Sequence, residues 1–115
     1  MTQVSHAIPS QDELRRLHAE ICSGVADPVR IAILYVLNEG PVNVGDITAQ
    51  LDLPQSTVSR HLRVLRDAHL VLSERQGQNI IYKLTDPRVI TALDLLREVY
   101  HARITEQIRV LNASL

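Results

Sequence analysis

Residues 45–65 constrain the fold of this chain more than any other stretch. The segment reads GDITAQLDLPQSTVSRHLRVL, and apolar residues recur at intervals of three and four on both sides of a short break. These apolar residues, starting one position before the segment, are Val44, Ile47 and Leu51, then Val58, Leu62 and Leu65. Each set is typical of the buried stripe of a short helix. Asp52-Leu53-Pro54 is long enough only for a tight corner, so the pattern predicts a helix-turn-helix.

The second of these helices carries a polar face without carboxylates. A merely solvated helix face usually mixes Glu with Lys, whereas every residue on this face can donate or accept a hydrogen bond. The second helix of a helix-turn-helix can enter the major groove of DNA and contact base edges and phosphates there. The face comprises Gln55, Ser56, Thr57, Ser59, Arg60, His61 and Arg63.

The distribution of charge supports a nucleic-acid partner, although the net charge of −1 argues weakly against one. Residues 55–83 hold five basic residues against two acidic ones, which gives this stretch a net charge of +3. Salt confines the field of a charge to roughly 8–10 Å, so phosphate contact depends on local charge.

Length and composition predict one domain over residues 10–115 behind a flexible tail over residues 1–9. The chain has 115 residues, no Trp, no Phe and three Tyr, so its core must be aliphatic, which favours packed helices. No apolar run approaches the length of a membrane span, and the first residues lack the pattern of a signal peptide. The single cysteine, Cys22, fits a reducing compartment. We therefore expect a cytoplasmic protein with no membrane partner.

Three further helix starts can be identified from capping residues. Ser10 and Glu13 form a capping box at the start of a first helix. Asp27-Pro28 begins a second helix, which Gly40-Pro41 ends, and Asn43 can cap the third. The apolar residues of the first two helices are Leu14, Leu17, Ile21 and Val25, then Ile31, Ile33, Leu34 and Leu37.

After the helix-turn-helix, a hairpin and a long helix are expected. Residues 70–84 predict two strands around Gln76-Gly77-Gln78, with one face of the second strand buried. Asp86-Pro87 starts a last helix that runs to about Leu111. Its apolar stripe is longer than a small domain can cover, which predicts packing against a second copy of the chain. The stripe comprises Val89, Leu93, Leu96, Tyr100, Ile104, Ile108 and Leu111.

The order of these elements, α-α-α-α-β-β-α, is that of an α+β, mostly helical chain, and it resembles the winged helix-turn-helix repressors of the ArsR–SmtB family. The resemblance is carried by three segments: ADPVRI at 26–31, VGDI at 44–47 and QSTVSRHLRVL at 55–65. It covers about residues 14–84, while the terminal helices match in type only.

The resemblance implies a homodimer that occupies an inverted-repeat DNA operator and releases it when a signal binds. Major-groove contacts would come from Gln55, Ser56, Thr57, Ser59, Arg60 and His61, backbone contact from Arg63, and wing contacts from Arg75, Gln76, Gln78 and Asn79. The first and last helices would form the dimer interface through Leu14, Leu17, Ile21, Val89, Leu93, Leu96, Tyr100 and Ile104.

The sensing sites of that family are incomplete in this chain. Asn43 and Gly45 stand where arsenic or cadmium sensors carry a cysteine pair, and soft metals need those thiolates. The zinc motif of the terminal helices is reduced to Asp86-Pro87-Arg88 and His101-Ala102-Arg103-Ile104, so two of its four ligands are missing. Persulfide sensors need two cysteines, and only Cys22 is present. We expect no metal site of either familiar type and no cofactor, and the inducer is unknown.

Three kinds of signal stay open: oxidation of Cys22, an organic ligand at the dimer interface, or a metal site of other construction. The last would use His6, His18 or His101. The plainer interpretation of Cys22 is a small buried apolar residue. Arg30, just inside the second helix, is interpreted as a structural pairing residue.

The sequence contains no motif of an enzyme, so we expect no catalytic activity. It has no Gly-rich phosphate loop, no Gly-x-Ser-x-Gly and no His-Glu-x-x-His. The main alternative is a winged-helix dimer that binds protein and has lost affinity for DNA. The carboxylate-free face of the second helix argues against it.

Overall fold

The structure is a computed structural model, and it describes residues 7–114. Two compact units are present, one reaching to Thr85 and one beginning at Asp86. The predicted tail lies outside the described residues up to His6. The elements are α1 (Gln11–Arg16), a π-helical segment (Leu17–Cys22), α2 (Ser23–Val25), α3 (Pro28–Asn38), β1 (Val42–Asn43), α4 (Val44–Leu51), α5 (Gln55–Asp67), β2 (Val71–Gln76), β3 (Asn79–Leu84) and α6 (Arg88–Ala113).

The predicted caps start the helices. The Ser10 hydroxyl accepts a hydrogen bond from the backbone N–H three residues later, at 3.1 Å. Asp27 Oδ1 accepts from the N–H of Val29 at 2.8 Å, and Asn43 Oδ1 accepts from the N–H of Asp46 at 2.8 Å. Each cap satisfies a backbone donor that has no partner within its helix. The helix starts predicted from these residues are confirmed.

The first helical stretch contains a feature that the sequence did not predict. Between α1 and α2 the chain is π-helical over Leu17–Cys22, and the N–H of Ser23 bonds back to the carbonyl of His18. Gly24 then passes close to the segment that follows α5. A Cβ there would lie 3.0 Å from Leu70 Cδ1 and 3.2 Å from Ala68 Cβ. A side chain at position 24 would therefore require Leu70 or Ala68 to shift by a few tenths of an ångström, so this close approach favours glycine.

The core of the first unit is aliphatic, as the composition predicts. Its fully or nearly fully buried side chains are Ile33, Leu34, Val36, Leu37, Ile47, Val58, Leu62, Leu65, Leu70 and Val71. The stripes predicted for α3, α4 and α5 are therefore confirmed, except that Ile31, Val44 and Leu51 are only half-buried. Burying such side chains stabilises the fold by roughly 1.5–3 kcal/mol each.

The corner between α4 and α5 is made by one left-handed residue. Asp52 has φ 53°, and the N–H of Leu53 bonds to the carbonyl of Thr48 at 3.3 Å. Leu53 is half-buried under the corner. A second left-handed residue, His69 with φ 58°, ends the turn after α5. The helix-turn-helix predicted from residues 45–65 is confirmed.

The sheet has three antiparallel strands in the order β1-β3-β2. The predicted hairpin is confirmed, and Gly77, with φ 63°, forms its two-residue turn together with Gln78. The sequence missed β1, whose Val42 lies opposite Tyr82, because two residues are too few to show an alternating pattern. The expected buried face of β3 is wrong. Tyr82 is half-buried, because α3 and α4 contact β3. Ile80 is exposed, as is the neighbouring strand β2 beyond Val71.

The second unit consists mainly of α6, a helix of 26 residues. Its start follows the predicted signal, since the N–H of Arg88 bonds to Asp86 Oδ1 at 2.9 Å. Apolar side chains lie exposed along much of it, with Leu96 and Leu111 each 62% exposed. Within the described residues, no helix has both the length and the apolar character needed to cross a membrane.

Candidate nucleic-acid interface

Helix α5 has a buried apolar side and an exposed polar side. Val58, Leu62 and Leu65 are buried, with at most 1% of each exposed. The opposite side carries the exposed residues Gln55, Ser56, Ser59, Arg60 and Arg63, while Thr57 is half-buried. Six of the seven polar residues predicted for this face are therefore accessible, and none of the six is acidic.

His61 is the exception, and its predicted place on the exposed face is wrong. The side chain is buried, with 8% of the residue exposed. Its Nδ1 lies 3.2 Å from Nη1 of Arg30. A guanidinium can only donate, so Nδ1 accepts this bond. The spacing of residues in the sequence indicates this burial, because His61 falls three residues after Val58 and four before Leu65, on the buried stripe.

Arg30 joins three segments of the first unit. Its Nε donates to the carbonyl of Gly24 at 2.7 Å, and its Nη2 donates to the carbonyl of Ser23 at 3.0 Å. Together with the bond to His61, these contacts tie the end of the first helical stretch to α3 and to α5. The interpretation of Arg30 as a structural pairing residue is confirmed.

Asp27 completes this cluster, with Oδ1 4.0 Å from Nδ1 of His61. Partial desolvation acts to raise the pKa of the Asp27 carboxyl. Hydrogen bonds from the backbone N–H groups of Arg30 and Val29, and the positive charge of Arg30, outweigh it and lower the pKa below its ordinary value. Asp27 is thus held as a carboxylate at the start of α3.

The wing, formed by β2, β3 and their turn, presents a second polar surface. Each residue assigned to it from the sequence is exposed. These residues are Arg75, Gln76, Gln78 and Asn79. Arg75 supplies a cation, and the others supply amide donors and acceptors.

A groove separates the start of α5 from the wing, and we call it the wing groove. Its volume is about 490 Å³, and the start of α4 forms its third side. Not one of its nine lining residues, all in the described part of the chain, carries a charged side chain. The polar members of the lining are Asn43, Gln55, Ser59, Gln78, Asn79 and Tyr82. Tyr82 was not expected among the site residues, because its place in an alternating pattern indicated only a strand.

The residues predicted for the dimer interface differ in exposure. Leu14, Leu17 and Ile21 are 37–47% exposed, and Leu96 and Tyr100 are more than half exposed. Val89 and Ile104 are half-buried, and Leu93 is already buried in a single chain. Five of the eight therefore remain available on the surface of one copy.

The predicted sensing residues are not assembled into a metal centre. Within residues 7–114, no group of three or more His, Cys, Asp or Glu side chains could hold a metal ion. Arg88 pairs with Asp86, because its Nη2 and Nε donate to Oδ2 at 2.7 and 3.0 Å. These hydrogen bonds lower the pKa of Asp86. The interpretation of Cys22 as buried is wrong, because the thiol-bearing residue is exposed. His6 lies outside the described residues.

The fold and the exposed face of α5 define a winged helix-turn-helix regulator. The model of the bacterial regulatory protein family arsR matches residues 27–73. The HTH-type transcriptional regulator NmtR of Mycobacterium tuberculosis is 39% identical over 84 residues, which are 73% of this chain and 68% of NmtR. The chain therefore belongs to the ArsR family.

Two other proteins give the same picture. The transcriptional repressor SmtB homolog of Synechocystis is 36% identical over 97 residues, covering 84% of this chain and 70% of that protein. The crystal structure of NolR from Sinorhizobium fredii is similar with a TM-score of 0.70 and 33% identity. It covers 87% of this chain and 97% of NolR. The ArsR–SmtB resemblance seen in the sequence is confirmed.

Proposed function

We propose that this chain is a dimeric transcriptional repressor that reads an inverted-repeat operator and leaves it when a signal binds. The observation that carries the proposal is the exposed side of α5 over residues 55–63, which is polar, accessible and free of carboxylates. One relative at 36% identity is named a transcriptional repressor. A cytoplasmic location belongs to the same proposal, because the single Cys22 fits a reducing compartment.

In this function the exposed residues of α5 lie in the major groove. Arg60 is the candidate for a bidentate base contact, since Arg matches the O6 and N7 acceptors of guanine. Arg63 and the wing residue Arg75 contact phosphates, which position the protein without reading sequence. His61 is removed from this set, because it lies buried behind the exposed face. It supports α5 from the core side through Arg30.

Dimerisation supplies the second recognition helix. Exposed apolar residues of the first helical stretch and of α6 form the interface, in keeping with the stripe predicted from the sequence. A two-fold axis places the two α5 helices about one turn of DNA apart, ~34–36 Å, so the operator is an inverted repeat.

The signal belongs to neither familiar metal class of the family. The positions of the cysteine pair are Asn43 and Gly45, and the remaining aspartate of the zinc motif is held by Arg88. Three candidates for the signal remain: an organic ligand at the dimer interface, oxidation of the exposed Cys22, and a metal site of other construction with histidines from two copies of the chain.

Binding to the chain's own upstream DNA at increasing salt tests the function. We expect tight binding to a short segment of that DNA, weaker binding to random duplex, and a linear loss of log affinity with log salt. A chain that binds neither duplex at low salt is a protein-interaction module instead, and the proposal then fails.

A further inference from the structure

We propose that the wing groove holds the sugar–phosphate backbone of one DNA strand, and that Tyr82 is a phosphate-contacting residue. The inference rests on the proposed DNA-binding function and extends it to the groove between the recognition helix and the wing. It adds Tyr82 to the DNA-binding residues. It also moves Gln55 and Ser59 from reading bases to positioning the backbone.

The topology of a DNA duplex places a backbone strand at this groove. In a duplex, one sugar–phosphate strand separates the major groove from the adjacent minor groove. If α5 enters the major groove and the wing reaches the neighbouring minor groove or its phosphates, that strand must run between α5 and the wing. The space between these two elements is the wing groove, about 490 Å³ in volume. The first helix of a helix-turn-helix crosses the backbone, and α4 borders the same space.

The chemistry of the lining also suits a sugar–phosphate strand. Amide and hydroxyl groups are common partners of phosphate oxygens in protein–DNA complexes. Gln55 and Ser59 supply them from α5, and Gln78 and Tyr82 supply them from the wing. The lining contains no carboxylate that would repel a phosphate and no cation that would bind a free anion without DNA.

In the described part of the chain, the donors that line the groove have no protein partner. Within residues 7–114, the side chains of Gln55, Ser59, Gln78 and Tyr82 make no hydrogen bond to another residue. Tyr82 is nevertheless half-buried, and its backbone is fixed in β3 opposite Val42 and Ser73. A half-buried ring on a paired strand has little conformational freedom to lose, and its hydroxyl, which lacks a protein partner, can donate to a phosphate oxygen.

The test variant is Tyr82→Phe, which removes one hydroxyl and keeps the ring. We expect affinity for operator and for random duplex to fall by the same factor, roughly tenfold, because the lost bond goes to a phosphate. The slope of log affinity against log salt stays unchanged, because no cation is removed. Ser59→Ala, on the α5 side of the groove, behaves in the same way.

Ser73→Ala is the matched control. It removes a hydroxyl from the neighbouring strand, directly opposite Tyr82, at an exposed residue that does not line the groove. Its affinity for both duplexes equals that of the wild type. Thermal unfolding of all three variants shows that the fold is retained, so that affinities can be compared.

Methylphosphonate substitution along the operator identifies the phosphate. We expect the neutral linkage to weaken wild-type binding at one position in each half-site. This position lies between the bases read by α5 and the minor groove reached by the wing. The same linkage should not weaken binding of Tyr82→Phe any further. Fully additive losses at every position overturn the inference, as does wild-type affinity of Tyr82→Phe for both duplexes. A wild-type chain that binds no duplex overturns the proposed function as well.

Discussion

At the scale of single residues, the Arg30 cluster determines how α5 is held. One guanidinium donates to two carbonyls at the end of the first helical stretch and to His61 on α5. The sequence indicated a structural role for Arg30 but not its partners, because they lie 6, 7 and 31 positions away along the chain. His61 was misplaced for a related reason. A polar residue type outweighed the helical spacing that sets it on the buried stripe.

Replacing Arg30 should destabilise the fold. Arg30→Ala removes the donor to His61 Nδ1 and to the Gly24 carbonyl, and leaves the Ser23 carbonyl with only the Ala26 N–H, which should cost about 1–3 kcal/mol in the free energy of unfolding. Arg16→Ala is the control, because the Arg16–Asp12 pair is largely exposed and such pairs contribute little. Urea unfolding measures both. Equal stabilities of the two variants would show that the cluster does not support α5.

Asp27 should make stability depend on pH in acid. Its pKa in the folded chain is below the ordinary value of 3.8, so its contribution is present above that value. The contribution is lost as the pH falls through the lower, folded pKa. Asp27→Asn keeps a capping oxygen and lacks the charge. The wild type should be more stable than this variant at neutral pH, and the difference should shrink below pH 3.8. A difference that is constant with pH would contradict the account.

At the scale of elements, capping residues and apolar spacing predicted every long helix and the hairpin. Two elements escaped prediction. The two-residue strand β1 pairs only because β3 passes beside it, and the π-helical segment leaves no mark in the spacing of apolar residues. Both depend on contacts or hydrogen bonds that a periodicity does not show. The wing groove was missed as a unit for the same reason, because its residues come from α5, the wing and the start of α4.

The two elements proposed to contact DNA, α5 and the wing, should respond differently to loss of an arginine. Arg60→Ala on α5 should cost about 1–3 kcal/mol on operator DNA and relax specificity at one base position. Arg75→Ala on the wing should weaken operator and random duplex alike and reduce the salt slope by about one. Fluorescence anisotropy with both duplexes over a salt series distinguishes the two effects. If Arg60→Ala lowers both affinities equally, α5 does not read bases through this residue.

At the scale of the whole molecule, the proposed function requires a second copy of the chain. The long apolar stripe of α6 predicts a dimer from the sequence. The exposure of its residues in one chain shows which of them can be substituted to test the interface. Leu93 is buried already, so a charge there would disturb the single chain. Leu96 is 62% exposed and can be changed without that effect.

Leu96→Glu should therefore give folded monomers that no longer hold an operator. Leu95→Glu is the matched control, because Leu95 is similarly exposed and lies about 100° around the helix from Leu96, outside the predicted stripe. Sedimentation at micromolar concentration should find the control dimeric and Leu96→Glu monomeric. A monomeric wild type would show that the interface is wrongly assigned.

The most direct test of the central claim is selection of duplexes from a random pool by the wild-type chain, followed by affinity measurement. The account predicts an inverted repeat whose half-site centres lie about 10–10.5 base pairs apart. It also predicts affinity at least ~10³-fold above that for random duplex at physiological salt. Selection that converges on no sequence, with equal affinity for selected and random duplexes, would contradict it.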